Sequence, residues 1–251
     1  MTAERRELAI DRQREERAGV RSQYVILEYL RTHPQSAWRE EVESGRITIE
    51  RAYDLMSELA RDPKTGVLRA DFLPYTLEYE CLQSRESDEP LSIAVVDIDD
   101  FKHINSELDH TGADEVLQQV ARIIAQEVRR SDEPVEYPAS INPESEPAEA
   151  VDETTARAGQ DDAVVRWGGE EFVVVFAGAS SGQARVAVER IRERIATALN
   201  GVRPNGRSVT VSAGLAEYSS VRHQDWPALL KDADQQLLRA KQNGKNVVYP
   251  E

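Results

Sequence analysis

Cysteine is almost absent. Cys81 is the single one in 251 residues, so no disulfide can form within the chain. With only four histidines beside it, a Cys/His zinc site is not expected either. Lysine is scarce: Lys64, Lys102, Lys231, Lys241 and Lys245 are the five, and arginine supplies the rest of the positive charge. Long apolar runs are missing, since none approaches the roughly 18–20 residues that span a bilayer. The first residues, MTAERRELAIDRQREER, are charged from the start and do not form a signal peptide. Together these absences predict a soluble, cytoplasmic protein with no membrane span. Positive charge is in deficit, with 31 Lys+Arg against 46 Asp+Glu and a formal net charge of −15. That balance argues against a broad nucleic-acid surface, and no nucleic-acid partner is expected. What remains is 40% hydrophobic and 31% charged, enough apolar material for a folded core under a wet surface.

Two regions differ in pattern. Residues 1–61 are polar and helical in character, with helices expected at about 3–19, 18–32 and 47–61. Within the last, Ile49, Ala52, Tyr53, Met56 and Leu59 recur at helical spacing. The region is read as a helical cap or dimerising stalk. From residue 62 the elements alternate. LSIAVVDI, residues 91–98, is an apolar run of the buried-strand type. A helix is expected at 113–130, with Leu117, Val120, Ile124 and Val128 on one face. Runs 163–167 and 171–176 join at Gly168-Gly169 as a hairpin. A helix at 182–199, a strand at 207–216, a helix at 225–242 and a strand at 246–249 follow. The order is that of an α/β (α+β) domain with a ferredoxin-like βαββαβ core. Residues 133–162 interrupt it: nine acidic residues, one Arg and four of the chain's eleven prolines give a net −8. Such composition cannot bury enough apolar surface to offset ordering entropy, and a mobile loop is expected.

Three features converge on one site. The strand 91–98 ends in Asp97, with Asp99 two residues on and Lys102 and Asn105 following. The hairpin turn is followed at once by Glu170 and Glu171. Carboxylates gathered from a strand end and a hairpin suit hard divalent cations, and nearby lysines suit phosphates. The pattern points to two-metal phosphoryl or nucleotidyl transfer.

The motif Trp167-Gly168-Gly169-Glu170-Glu171-Phe172 resembles the signature of the GGDEF domain of diguanylate cyclases, in its GGEEF form. Further segments agree in order: Asp62 to Leu68 with the family's DxLTGL, Asp97 to Asn105 with DxDxFKxxN, and Thr210 to Gly214 with TvSiG. Ala233 to Asn246 resembles the closing ADxALYxAKxxGRN segment. The likeness runs from residue 62 to 249. It implies a palm-like nucleotidyl-cyclase fold over 62–251, preceded by the helical segment 1–61 and interrupted by the insertion.

The resemblance implies roles residue by residue. Asp97, Glu171 and the carbonyl of Ile98 would hold two Mg²⁺ or Mn²⁺ ions on a GTP triphosphate. Glu170 would lie near the ribose 3′-OH, as a metal ligand or as the group that helps deprotonate it. Gly168 and Gly169 would leave room for the nucleotide and take a turn with φ > 0. Phe101 belongs to the nucleotide-binding segment, and Asn105 and Asp114 match the two positions that hydrogen-bond the guanine edge. Lys102, Lys241 and Lys245 would neutralise phosphates. The implied reaction joins two GTP into cyclic di-GMP with two pyrophosphates released, which needs two domains facing each other in a homodimer. A catalytically silent domain that binds GTP or cyclic di-GMP is the alternative; such members usually lose one of the acidic positions matching Asp97, Glu170 and Glu171, and all are present here.

Departures from the family occur at Ser106 and at Asp109 and Ala113, where glycines are usual; Asp tolerates left-handed backbone, so the turn at 109 is expected to survive. Gln236 and Leu238 replace an Ala and a Tyr at packing positions of the last helix. Product inhibition in the family uses an RxxD motif before the signature. Arg129 and Asp132 form one here, with Arg166 and Arg190 as partners if the insertion loops out; a simpler reading has Arg129 and Arg130 neutralising a helix C-terminus. His103 and His110 are expected on the surface, and Cys81 packed on a helix.

Overall fold

The computed structural model describes residues 24–25, 27–32, 37–48, 51–52, 55, 60–129 and 162–250. The expected helix at 3–19 and the insertion up to residue 161 lie outside them.

One six-stranded sheet organises the domain, in the order β1-β3-β4-β2-β5-β6. Its strands are β1 (Leu68–Arg69), β2 (Leu91–Ile98), β3 (Ala163–Arg166), β4 (Glu171–Ala177), β5 (Val211–Glu217) and β6 (Val248–Tyr249). The four central strands β3-β4-β2-β5 are antiparallel throughout, while the edges β1 and β6 add in parallel. With helices between β2 and β3 and between β4 and β5, this is the expected ferredoxin-like core. β1 was not expected; two residues carry too little periodicity to read.

Helices cover both faces, and the parity of β2 assigns them. All eight residues of β2 are buried. Ala94, Val96 and Ile98 face one layer with helices α3 (Phe101–Arg129) and α4 (Ser181–Ala198). Ile93 and Val95 face the other, with α2 (Leu73–Ser87) and α5 (Trp226–Gln242). Over β5 the packing is closest at Gly214. A Cβ there would stand 2.1 Å from the Leu237 nitrogen and 2.2 Å from the Ala233 oxygen, so α5 lies directly on the strand.

Several expectations need correction. α3 starts at Phe101 rather than 113, so the stretch 101–108, for which no helix was expected, is helical. Phe101, Ile104 and Leu108 pack into the core at i, i+3, i+7, a stripe interrupted for reading by the bend at Asp109. Asp109 adopts φ +62, and its Oδ1 accepts the amide N–H groups of Thr111 and Gly112. An aspartate thus takes the left-handed backbone of the usual glycine and caps the helix that follows. α2 is the expected helix around Cys81, but its extent was not foreseen: its buried Thr76 and Glu80 break the apolar stripe, and a proline in its first turn resembles a breaker. Leu238 is no packing position, being 56% exposed. Cys81 is buried as expected, and burial pushes its thiol up to about 12.

In the N-terminal region residues 27–32 are helical, and a helix at α1 (Ala37–Glu43) ends against Gly45 at φ +69. Tyr24 lies 5.5 Å from Tyr79 and Tyr29 6.1 Å from Tyr75, ring to ring, so this region docks on α2. Among the described residues no helix is long and apolar enough to cross a membrane.

Candidate active site

The alternation of strand side chains builds the acidic site. Asp97 shares the parity of Ile93 and Val95, and Glu171 that of Val173 and Val175, so both carboxylates project toward the α5 layer. In the antiparallel register Asp97 stands directly opposite Glu171. Glu170 closes the turn, its carbonyl accepting the Ile98 N–H at 3.3 Å. Like charges opposite one another repel, and Asp97 is buried to 6% exposure. Burial pushes its carboxyl up to about 6; the Lys241 ammonium opposes the shift, and the Glu170 and Glu171 charges add to it.

Lys241 sits in the last turn of α5, where a cation is favoured by the helix dipole, with Nζ 2.9 Å from Asp97 Oδ2. Lys245 follows in a loop at φ +64 and pairs with Asp100 at 2.6 Å, holding that carboxyl below its usual range. Two of the three expected phosphate-binding lysines therefore rest on carboxylates at or just past the end of β2. Lys102 is exposed on the first turn of α3. Asp99, despite its motif position, is buried and spent: it accepts from the Thr210 and Ser212 hydroxyls and the Asn246 N–H at 2.7, 2.6 and 3.0 Å. It fastens the end of β2 to β5 and the closing loop.

At the hairpin, neither Gly168 nor Gly169 has positive φ, contrary to expectation. A Cβ at Gly168 would stand 2.5 Å from Glu171 Oε2, the far end of a flexible side chain that can swing aside. Gly169 faces open space on the same criterion. Arg166 holds the turn from behind. Its guanidinium donates to both oxygens of Asp62 at 2.9 and 3.0 Å and to the Gly169 carbonyl at 2.8 Å. Asp62 also accepts the Thr65 N–H and hydroxyl and the Lys64 N–H. Burial pushes the Asp62 carboxyl up, but these bonds from Thr65 and Arg166 outweigh it and hold the pKa below its usual value. No sequence spacing announced this pair, which joins positions 104 residues apart.

The two expected base-reading residues lie on either side of the bend in α3. Asn105 donates to the Phe101 carbonyl at 3.3 Å, and Phe101 is a core residue. Asp114 receives the Lys64 ammonium on both oxygens at 2.7 Å. His103 and His110 are exposed, as expected. Of the expected inhibitory set, Arg166 is engaged as above and Arg190 donates to the buried Glu127, through Nε at 2.7 Å to the carboxylate and at 2.6 Å to the carbonyl. Arg129 is the last residue of α3, and Asp132 lies outside the described residues.

Two carboxylates face to face, one raised by burial and by its neighbours' charge, fit a divalent cation that would offset that charge. Among the described residues no three His, Cys, Asp or Glu side chains are already gathered as a ligand cluster.

Known proteins resemble this chain in sequence and in fold. The family described as "Diguanylate cyclase, GGDEF domain" matches residues 59–137 and 148–247. Diguanylate cyclase DosC of Escherichia coli K12 is 29% identical over 192 residues, 76% of this chain and 35% of that protein. Diguanylate cyclase DgcP of Pseudomonas aeruginosa is 31% identical over 193 residues, 77% of this chain and 24% of that one. The chain thus spans about a third or less of the length of these relatives. Among solved structures, diguanylate cyclase SiaD of Pseudomonas aeruginosa, in complex with its activator SiaC, is similar with a TM-score of 0.61 and 25% identity. The match covers 98% of this chain and 81% of SiaD. The active GGEEF domain of a Vibrio cholerae diguanylate cyclase shares the fold at a TM-score of 0.56 and 24% identity, over 73% of this chain and 97% of that one.

Proposed function

We propose, for a chain that belongs to the GGDEF diguanylate cyclase family, that it condenses two GTP into cyclic di-GMP across a homodimer. The observation that carries the reading is the facing of Asp97 and Glu171 across β2 and β4, with Lys241 2.9 Å from Asp97. Asp97, Glu171 and the Ile98 carbonyl would hold Mg²⁺ or Mn²⁺, two per site, with Glu170 either completing the ligand set or taking the proton of the 3′-OH. Bound there, the ions supply charge neutralisation on the triphosphate and acidify the attacking hydroxyl.

The chain's own residues do the rest. Asn105 and Asp114 orient the guanine, so the wrong base leaves a polar group unpaired. Lys241 and Lys245, now resting on Asp97 and Asp100, turn to phosphate oxygens when those carboxylates are engaged, and Lys102 adds a third cation from α3. The 3′-oxygen of one GTP bonds to the α-phosphorus of the other, the bond from that phosphorus to the bridging oxygen breaks, and pyrophosphate leaves with the electron pair. Repeating the step in the opposite direction closes the ring. One domain holds one GTP, so two must face each other, and the N-terminal region, residues 1–61, is the proposed means of pairing them.

Pyrophosphate release from GTP in Mg²⁺ tests the reading. Wild type should release it at a rate that rises with protein concentration, and Glu171→Ala should lower the rate at least about 100-fold, as loss of a transition-state electrostatic group does. Equal rates in the two proteins would refute it. Deleting residues 1–45 should weaken dimerisation and activity together; retention of both would refute the pairing role.

A further inference from the structure

Lys64 stands in a turn built with unusual firmness. Asp62 accepts its N–H at 3.2 Å together with the Thr65 N–H and hydroxyl at 2.9 and 2.8 Å. Asp62 is itself fixed by Arg166 at 2.9 Å, and Arg61 donates to the Gly66 carbonyl at 2.8 Å. From this turn the Lys64 side chain reaches Asp114, 50 residues away, and places its ammonium 2.7 Å from each carboxylate oxygen. Both side chains are about half exposed, 51% and 40%, so the pair lies open to a ligand. An exposed ion pair contributes little to stability, so a ligand that recruits one of its partners gives up little folding energy.

Guanine presents three groups in a row along one edge: the O6 acceptor, the N1–H donor and the N2 amino donor. A carboxylate accepts the two donors side by side and itself makes no bond to O6, which calls for a donor from another side chain. The ammonium of Lys64 has three donors, of which the Asp114 oxygens use two at most. A shift from bridging both oxygens to holding one would free Nζ toward O6 while keeping the ion pair. Adenine places an amino donor at that position and a lone pair at N1, so the cation and the carboxylate would each meet the wrong partner.

We propose that Lys64 is a specificity residue, which reads the guanine O6 while Asp114 reads N1 and N2. The inference rests on the placement of guanine at Asp114 in the proposed function.

The test measures equilibrium binding in Mg²⁺ with 3′-deoxy-GTP, which lacks the attacking hydroxyl and cannot be consumed. Two further probes are its 6-thio analogue, which replaces the O6 acceptor by a weakly accepting sulfur, and 3′-deoxy-ATP. Wild type is expected to prefer oxygen over sulfur by about tenfold, the size of one charged hydrogen bond. Lys64→Met should abolish that preference, weaken 3′-deoxy-GTP by a similar factor and narrow the gap to 3′-deoxy-ATP. Lys64→Arg, which keeps the charge and the donors, should restore the preference for oxygen. A Lys64→Met protein that keeps the wild-type ratio of oxygen to sulfur overturns the proposal. So does one that binds 3′-deoxy-GTP more tightly, because Lys64 would then merely mask Asp114. Wild type that binds no 3′-deoxy-GTP at all overturns the guanine reading itself and this inference with it.

Discussion

Removing the Asp62 carboxylate tests how the turn and the hairpin are fixed together. Asp62→Ala deletes the acceptor of five hydrogen bonds, two from the Arg166 guanidinium and three from the turn 64–65. It leaves a guanidinium that is only 16% exposed without its counter-charge. Breaking a buried ion pair from one side costs roughly 3–5 kcal/mol, and the residual exposure of this pair places the cost near ~3 kcal/mol. In a domain of this size ~3 kcal/mol corresponds to a fall in Tm of about 6–12 °C. Thermal unfolding by calorimetry at neutral pH reads it directly. A double mutant with Arg166→Leu should be less destabilised than the two single changes summed, because the stranded charge is gone. The pH dependence has a fixed sign. The Asp62 pKa is lowered in the fold, so its contribution is fully present above the ordinary value of 3.8 and lost as pH falls through the lower folded value. The difference between wild type and variant should hold from pH 8 to pH 5 and shrink only below about pH 4. A Tm change under about 2 °C, or single-mutant effects that add, would refute the account of the pair.

Other changes separate space, backbone and charge. Gly214→Ala drives a methyl group onto the α5 backbone at Leu237 and Ala233, and should cost at least ~3 kcal/mol in chemical denaturation, with a wild-type-like midpoint contradicting the packing. At Asp109, with φ +62 and two capped amides, replacement by Ala should lose about 1–2 kcal/mol and replacement by Gly only a few tenths; equal losses would show that the positive φ is not the reason for the difference. Mn²⁺ binding should weaken as pH drops through about 6, where the Asp97 carboxyl takes up its proton, and that pH dependence should vanish in Asp97→Asn. Affinity unchanged between pH 5 and pH 7.5 would remove Asp97 from the ligand set.

The parts of this architecture that were legible in the sequence are those written in local period. β2 was visible because all of its residues are buried, and the same alternation of two put Asp97 and Glu171 on one face. The hairpin was legible from Gly168-Gly169, although neither glycine takes the positive φ expected of it. The extent of α2 around Cys81 was missed because polar Thr76 and Glu80 are buried inside it. The first turns of α3 were missed because a helix on both sides of a left-handed Asp109 does not keep one phase. Asp99 looked like a second site carboxylate by position, yet its partners Thr210, Ser212 and Asn246 arrive from over 100 residues away along the chain. The Lys64–Asp114 and Asp62–Arg166 pairs are likewise products of the tertiary fold. A lysine inside the 62–68 motif was their one local sign.

The central claim is the joining of two guanine nucleotides at the Asp97–Glu171 site, and product identity tests it most directly. The purified chain is incubated with GTP and Mg²⁺, with ATP present as a competitor, beside Glu171→Ala, and the products are identified by mass spectrometry. The account predicts cyclic di-GMP as the cyclic product from the wild type and none from the variant. A wild type that is dimeric and binds GTP yet yields no cyclic di-GMP, or that yields an adenine-containing product instead, would contradict it.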